Sequence, residues 1–305
     1  MIKRRIIESV IKIINRFSHK NYITYSIYDK NPTESAKRFS AEKIGIIIQG
    51  PWVEKDNFTL NTIKFYSSCI SENDIIVYSG WSNEREHVEK LVDRKNVKLI
   101  FNDKPKNSGF RNINLQVVST SQAIKHLSSK GCKMILKTRS DQRFYCMNNL
   151  EGLISLCRKK RDKLLISSFN TFSNRIYSVS DMFMMGYTQK MVEYWDIPLD
   201  KRPPEDFKIP SDLNDIAYAK MRCAEQYYLL SFLERQNHFL EFTTQDYYDV
   251  LDKFFYIIDS STLKLFWPKY TFMENRWELN NNITSLNQFS YLSWLAIKSK
   301  KCKVK

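Results

Sequence analysis

The chain of 305 residues predicts an α/β protein built on a mostly parallel sheet flanked by helices, on three observations. Short apolar runs such as Ile44–Ile48 alternate with amphipathic stretches long enough for helices, and that alternation builds βαβ crossovers over a parallel sheet. No apolar run is long enough to span a bilayer and no signal-peptide cleavage pattern is present, so the apolar residues are read as a folded core. Finally, the run from Lys133 to Phe144 is an apolar strand that passes without a break into Lys137, Arg139, Asp141 and Arg143. Ligands in open α/β sheets bind just past the carboxyl ends of such strands, and three cations around one carboxylate suit a phosphate-bearing ligand. The alternative is a structural ion pair capping the strand.

The elements follow in order. Residues 2–17 set Ile6, Val10, Ile13, Ile14 and Phe17 at helical spacing among Lys3, Arg4, Arg5, Lys12 and Arg16, a basic amphipathic helix that either lies on an anionic bilayer or packs on the protein body. His19 to Ser40 reads as a linker. Ile44–Ile48 is a strand closed by the turn Gln49-Gly50-Pro51. Asp56 or Asn57 caps a helix to about Cys69; Asp74 to Ser79 is a strand, Ser82 or Asn83 opens a helix to about Val92, and Val97 to Phe101 is a third strand. After a loop, a helix spans roughly Asn114 to Ser128 and ends at Gly131 in the left-handed conformation. The strand Lys133–Thr138 follows, then a helix over Asn148–Lys160 and a strand over Leu164–Phe169. Ser180–Gly186 is an apolar segment led by Asp181, and Thr188–Trp195 a short helix. Pro198–Ser211 holds four of the eight prolines and reads as a loop. Met221–Gln236 is a mostly apolar helix carrying Glu225, and strand-like aromatic pieces such as Phe266–Tyr270 precede a lysine-rich tail from Lys298. The domain boundaries read from this pattern are 1–40, 41–275 and 276–305.

Composition narrows the function classes. The chain is 43% hydrophobic and 14% aromatic, enough for one large core or two modest ones. A net charge of +15 and a pI near 9.4 imply an anionic partner: nucleic acid, a phosphorylated substrate or an acidic membrane face. Seven glycines with many Ile, Lys and Asn are also what nucleotide bias produces, so part of that charge is discounted. Six cysteines without a CxxC pair read as reduced thiols in a cytoplasmic protein, with no zinc site. Neither GxxxxGK[ST] nor GxGxxG occurs, which disfavours kinases and dehydrogenases of those types, and His19, His87, His126 and His238 carry no triad motif. A Rossmann-type sheet with an acid, several arginines and a later acid on a helix suits transfer of a group from a nucleotide-activated donor.

Six blocks, Ile46–Pro51, Thr59–Ile63, Arg111–Thr120, Leu136–Asp141, Ser180–Phe183 and Ala224–Tyr227, lie in order over about residues 43 to 270. In these blocks and their order the chain resembles the WavE lipopolysaccharide synthesis family of bacterial glycosyltransferases. It departs at Tyr78-Ser79-Gly80-Trp81, where the family more often carries Ser-Thr-Trp. The resemblance implies a GT-A-like fold and transfer of a sugar from a nucleotide-sugar donor to a lipopolysaccharide-core or other lipid-linked glycan acceptor; the basic helix and the lysine-rich tail are expected to bring the enzyme to such an acceptor at the cytoplasmic face of the inner membrane. The resemblance also implies a divalent metal, Mn or Mg, at Asp141, where such folds carry a DxD motif; here the sequence is Ser-Asp-Gln-Arg, and Arg139 with Arg143 can instead neutralise the leaving group.

Within that reading, Gln49, Gly50 and Pro51 floor the nucleotide, and Arg111, Lys137, Arg139 and Arg143 face its phosphates, Arg111 next to a helix N-terminus. An inverting transfer needs a base distinct from Asp141. Glu225 and Asp181 are the candidates, each heading an apolar segment that desolvates an acid and raises its pKa. Pairing of Glu225 with Arg222, and capping or donor orientation by Asp181, stay open as alternatives. Non-catalytic nucleic-acid binding and sugar nucleotidyl transfer also stay open, although the cations do not line one face and only one acid lies in the junction.

Overall fold

A computed structural model of the chain describes residues 9–11, 13, 16, 42–92, 95–203, 214–223, 225–267 and 288–302. The chain divides into two units, Met1–Asn31 and Pro32–Lys305. In the first, the described residues are helical, with Val10 and Ile13 exposed.

In the second, the apolar runs form strands β1 (Ile44–Gln49), β2 (Ile75–Trp81), β3 (Val97–Asn102) and β4 (Met134–Arg139). Arg143–Phe144 is β5, followed by β6 (Leu164–Ser167), β7 (Met184–Tyr187), β8 (Phe255–Ile258) and β9 (Leu265–Phe266). Seven of them make one sheet in the order β3-β2-β1-β4-β7-β6-β8, while β5 pairs with β9 in a short ribbon. The first four are mutually parallel and β7 runs antiparallel between β4 and β6. The α/β class with a mostly parallel sheet is therefore the fold observed.

Alternation of side chains along β1 divides the core. Ile47 faces one cluster with Val77 and Ile135, and Ile44, Ile46 and Ile48 face the other. Helix α1 (Phe58–Cys69), α2 (Arg85–Leu91) and α4 (Leu150–Lys159) bury apolar residues in the second cluster. On the first face lie α3 (Ile113–Ser129), α5 (Thr188–Trp195) and α7 (Glu225–Arg235), with α5 packed between the other two. The remaining helices are α6 (Asp215–Lys220), α8 (Thr244–Phe254), α9 (Ser260–Leu263) and α10 (Tyr291–Cys302). Among the described residues no helix is long and apolar enough to cross a membrane.

Several expected boundaries move, each for a local reason. Helix α3 ends before Gly131 at φ 74°, as its spacing predicts. At the start of α1 Asp56 and Asn57 are both left-handed, Asn57 makes no side-chain cap, and Thr59 Oγ1 accepts from Val53 N at 2.9 Å. Glu84, rather than Ser82 or Asn83, organises the next turn, accepting from Trp81 N at 3.1 Å and Trp52 N at 3.0 Å. The helix expected over Met221–Gln236 is broken, because Arg222 sits at φ 52° and helix α7 starts only at Glu225. Helix α8 replaces expected strand-like sequence; its apolar Tyr247, Val250 and Leu251 recur at helical spacing. Of the lysine-rich tail, Lys298 pairs with Asp252 at 2.6 Å on the body of this unit. The strand-like segment beyond Trp267 and most of the proline-rich loop lie outside the described residues.

Helix α3 comes down on β1 at Gly45, where an added Cβ would stand 2.5 Å from Leu127 Cδ1. Gly45→Val should therefore overpack this seam and cost about 2 kcal/mol, measured as a lower urea midpoint with unchanged slope.

Candidate active site

The direction of the chain reverses at β1 and β4: β1 leads away to β2 and β3 on one side, and β4 begins the other side. Ligands in open α/β sheets bind at such a switch point. Its carboxyl edge is set by register, with Gln49 opposite both Ser79 and Arg139. Gly50 turns there at φ 123°, a conformation that favours glycine, and an added Cβ would stand 2.7 Å from Ser140 Oγ. Ser140 locks the turn, its amide donating to Gln49 O at 2.8 Å and its hydroxyl to Pro51 O at 2.7 Å. The Gln49-Gly50-Pro51 turn and the end of β4 thus form one floor.

Arg139 and Asp141 stand on that floor as a bidentate pair, Nε to Oδ1 at 2.9 Å and Nη2 to Oδ2 at 3.0 Å. Trp267 Nε1 donates to Oδ2 at 3.1 Å, and the Arg139 guanidinium lies 5.6 Å from the Trp267 ring centroid. Burial opposes ionisation of Asp141, but Arg139 outweighs it and holds the carboxyl below its ordinary pKa. These contacts bear on the expected divalent metal. Both Asp141 oxygens already accept from a guanidinium, and among the described residues no three His, Cys, Asp or Glu side chains converge. A divalent ion here would share Asp141 with Arg139 and take its remaining ligands from phosphate and water.

Beside this pair lies an inner network centred on Asp181, which is 3% exposed. Lys137 Nζ, fully buried, donates to Asp181 O and lies 3.5 Å from Oδ2. Burial pulls the Lys137 pKa down to about 8 against the opposing pull of Asp181. The Gln116 amide donates to Asp181 Oδ2, and Tyr228 donates to Gln116 Oε1 at 3.2 Å. Glu225, in the first turn of α7, completes the group. Burial first, and then the charge of Asp181, push its carboxyl up to about 7, while Arg175 and Arg111 pull the other way. A carboxylate held near neutrality is what proton abstraction at physiological pH requires.

The structure therefore gathers Lys137, Arg139, Asp141, Asp181 and Glu225. Lys137, expected at the phosphates, is fully buried beneath Asp181. Arg143, expected at the phosphates, is a structural residue at 1% exposure: Nε donates to Thr62 Oγ1 at 3.0 Å and Nη2 to Phe58 O at 3.1 Å. Glu225 does not pair with Arg222, which bonds Glu234 instead. Arg111 is exposed, and its charge acts on Glu225. Sequence reasoning missed Gln116, Arg175, Tyr228 and Trp267. Tyr228 follows Glu225 at the i+3 spacing that puts both on one helix face; the other three carry no local signal.

No family model matches the chain, and no curated protein does. Among solved structures, 4-diphosphocytidyl-2C-methyl-D-erythritol synthase from Anaerococcus prevotii aligns at 11% identity and TM-score 0.39, covering 73% of this chain and 89% of that one. HddC from Yersinia pseudotuberculosis, complexed with GMP-PN, aligns at 13% identity and TM-score 0.32, covering 54% and 84%. Likeness this distant carries no functional inference.

Replacing Arg143 by Leu should remove the guanidinium that joins Thr62 Oγ1 to Phe58 O, while the Thr62 hydroxyl keeps donating to Phe58 O at 2.8 Å, and cost about 1–3 kcal/mol, read by urea denaturation. Nucleotide affinity should be unchanged once the variant is folded.

Proposed function

We propose that the chain is a nucleotide-using transferase that moves a glycosyl group from a nucleotide-sugar donor to a glycan hydroxyl, as its resemblance to the WavE lipopolysaccharide synthesis family implies. The single observation that carries this reading is a base-like carboxylate, Glu225, placed beside a buried acid and next to a switch-point floor bearing Arg139. In this reading the donor nucleotide lies on the Gln49-Gly50-Pro51 turn. Arg139 meets its phosphates through Nη1, which makes no hydrogen bond among the described residues, its side chain being 29% exposed. Asp181, fixed by Lys137 and Gln116, orients the donor sugar.

The chemistry is a direct displacement. Glu225 accepts the proton of the acceptor hydroxyl as that oxygen bonds to the anomeric carbon, and the bond from that carbon to the phosphate oxygen breaks. The nucleoside diphosphate leaves with the electron pair, its charge met by Arg139. An acceptor carried on lipid places the reaction at an anionic membrane face, where the basic residues of positions 2–17 add affinity.

Purified protein incubated with a panel of nucleotide sugars and deacylated core oligosaccharide should release nucleoside diphosphate with a new glycosidic product. Release of pyrophosphate instead would identify nucleotidyl transfer. Glu225→Gln keeps shape and removes basicity, so turnover should fall by about 100-fold or more while donor binding persists; near-normal turnover would discard Glu225 as the base. Because a base works only when unprotonated, wild-type kcat/KM should climb as pH rises through about 7, and that limb should vanish in the variant. Sedimentation with anionic liposomes tests the membrane role: equal binding by the full chain and by a truncation lacking residues 1–20 would remove the basic helix from it.

A further inference from the structure

Arg111 and Arg175 differ from the arginines around them. Arg139, Arg202 and Arg222 are each paired, with Asp141, Asp200 and Glu234 respectively. Neither Arg111 nor Arg175 has a carboxylate partner among the described residues, yet both guanidinium groups rest on aromatic rings. Arg175 lies 4.1 Å from the Tyr218 ring centroid and 5.6 Å from that of Phe172; Arg111 lies 5.4 Å from that of Phe110. An aromatic support holds a guanidinium in place while leaving its edge N–H groups for a ligand. Arg111 also occupies a left-handed backbone position, φ 50°, followed by Asn112 at φ 66°, a strained arrangement of the kind that accumulates at ligand clamps.

The two side chains come from distant parts of the chain, Arg111 from the turn before α3 and Arg175 from the connection between β6 and β7. Hydrogen bonds bring both to the start of α7: Gln226 Nε2 donates to Ile176 O at 2.8 Å beside Arg175, and Phe110 N, beside Arg111, donates to Asp200, whose partner Arg202 donates to Arg222 O at 2.9 Å; both charges act on Tyr218, Cys223 and Glu225. They thus flank the side of the site where an acceptor hydroxyl must meet Glu225, while the switch-point floor has its own cation in Arg139. We propose that Arg111 and Arg175 form a second anion subsite, which binds a phosphate or carboxylate group on the acceptor sugar. The proposal rests on the glycosyl-transfer reading and gives it a substrate class: the acceptor is an acidic sugar, and Arg111 belongs to it rather than to the donor.

The test uses binding rather than turnover, so that it stands apart from the reaction. The full chain, saturated with a nucleoside diphosphate, is titrated calorimetrically with glucose 6-phosphate, glucuronate and glucose. The wild type should prefer the two charged sugars by about tenfold or more, the value of a charge-assisted hydrogen bond or two. Arg111→Gln/Arg175→Gln should abolish that preference and leave UDP, CDP and GDP affinities within about twofold; Arg139→Gln should do the reverse. Circular dichroism checks folding, and the single Arg111→Gln variant, at an exposed position, serves if the double variant fails to fold. Equal binding of charged and neutral sugars by the wild type, or no binding of either, overturns the proposal, as does loss of nucleoside diphosphate binding in the double variant, which would return both arginines to the donor. If the glycosyl-transfer reading alone is wrong, no nucleotide sugar is turned over, yet the charge preference and its loss remain.

Discussion

The contact between Lys137 and Asp181 is the constraint on which the site depends. A fully buried ammonium is tolerated only with a charged or strongly polar partner, and here the partner is both the backbone carbonyl and the carboxylate of Asp181. Because Lys137 sits near the end of β4, in register with Met184 of β7, satisfying its charge draws the segment that leads into β7 against the central strands. That closure buries Asp181, and the negative charge of its carboxylate is one more reason, after burial, for Glu225 to hold its proton to higher pH. One buried cation thus couples sheet pairing to acid–base chemistry.

Two cationic environments border this centre, and they differ in how they are neutralised. Arg139 gives two of its donors to Asp141, and Trp267 adds a third hydrogen bond at Oδ2 of that carboxylate. In the proposed reading an incoming phosphate would meet a guanidinium whose direction is fixed in advance, which lowers the cost of ordering it on binding. Arg111 and Arg175 have aromatic support and, among the described residues, no ion-paired carboxylate; the charge of both falls on Glu225 and opposes the effect of burial, and that of Arg175 falls on Asp215 as well. The Glu225 carboxyl is therefore shifted from both sides, by burial and Asp181 upward and by the arginines downward.

The loop that enters this region is anchored with similar economy. Arg202 holds Asp200 in a bidentate pair and also reaches the carbonyls of Met221 and Arg222. Asn114 receives the Asp200 amide at 2.6 Å and donates to its carbonyl at 2.7 Å. The start of α3, the chain at Asp200 and the chain before α7 are thereby tied together, which brings Arg111 and Glu225 to one region although more than a hundred residues separate them.

The strands and the class of fold were legible in the chain because β1, β2 and β4 are apolar on both faces, and a parallel strand covered by helices on both sides must be. The Gly50 turn and the Gly131 helix end were legible because each needs a backbone conformation that few residues adopt. Sequence also marked the end of β4 as charged, but not which of its charges would meet a ligand. Lys137, Arg139, Asp141 and Arg143 are at most two residues apart from one to the next, and only the packing of α1 turns Arg143 inward and only the approach of Asp181 seals Lys137. The same holds for Arg175, Gln116 and Trp267, whose roles arise from partners tens of residues away. Local periodicity fixes which side chains must be buried; which buried or half-buried charges face one another depends on how distant segments close over the sheet, and that is a property of the tertiary structure alone.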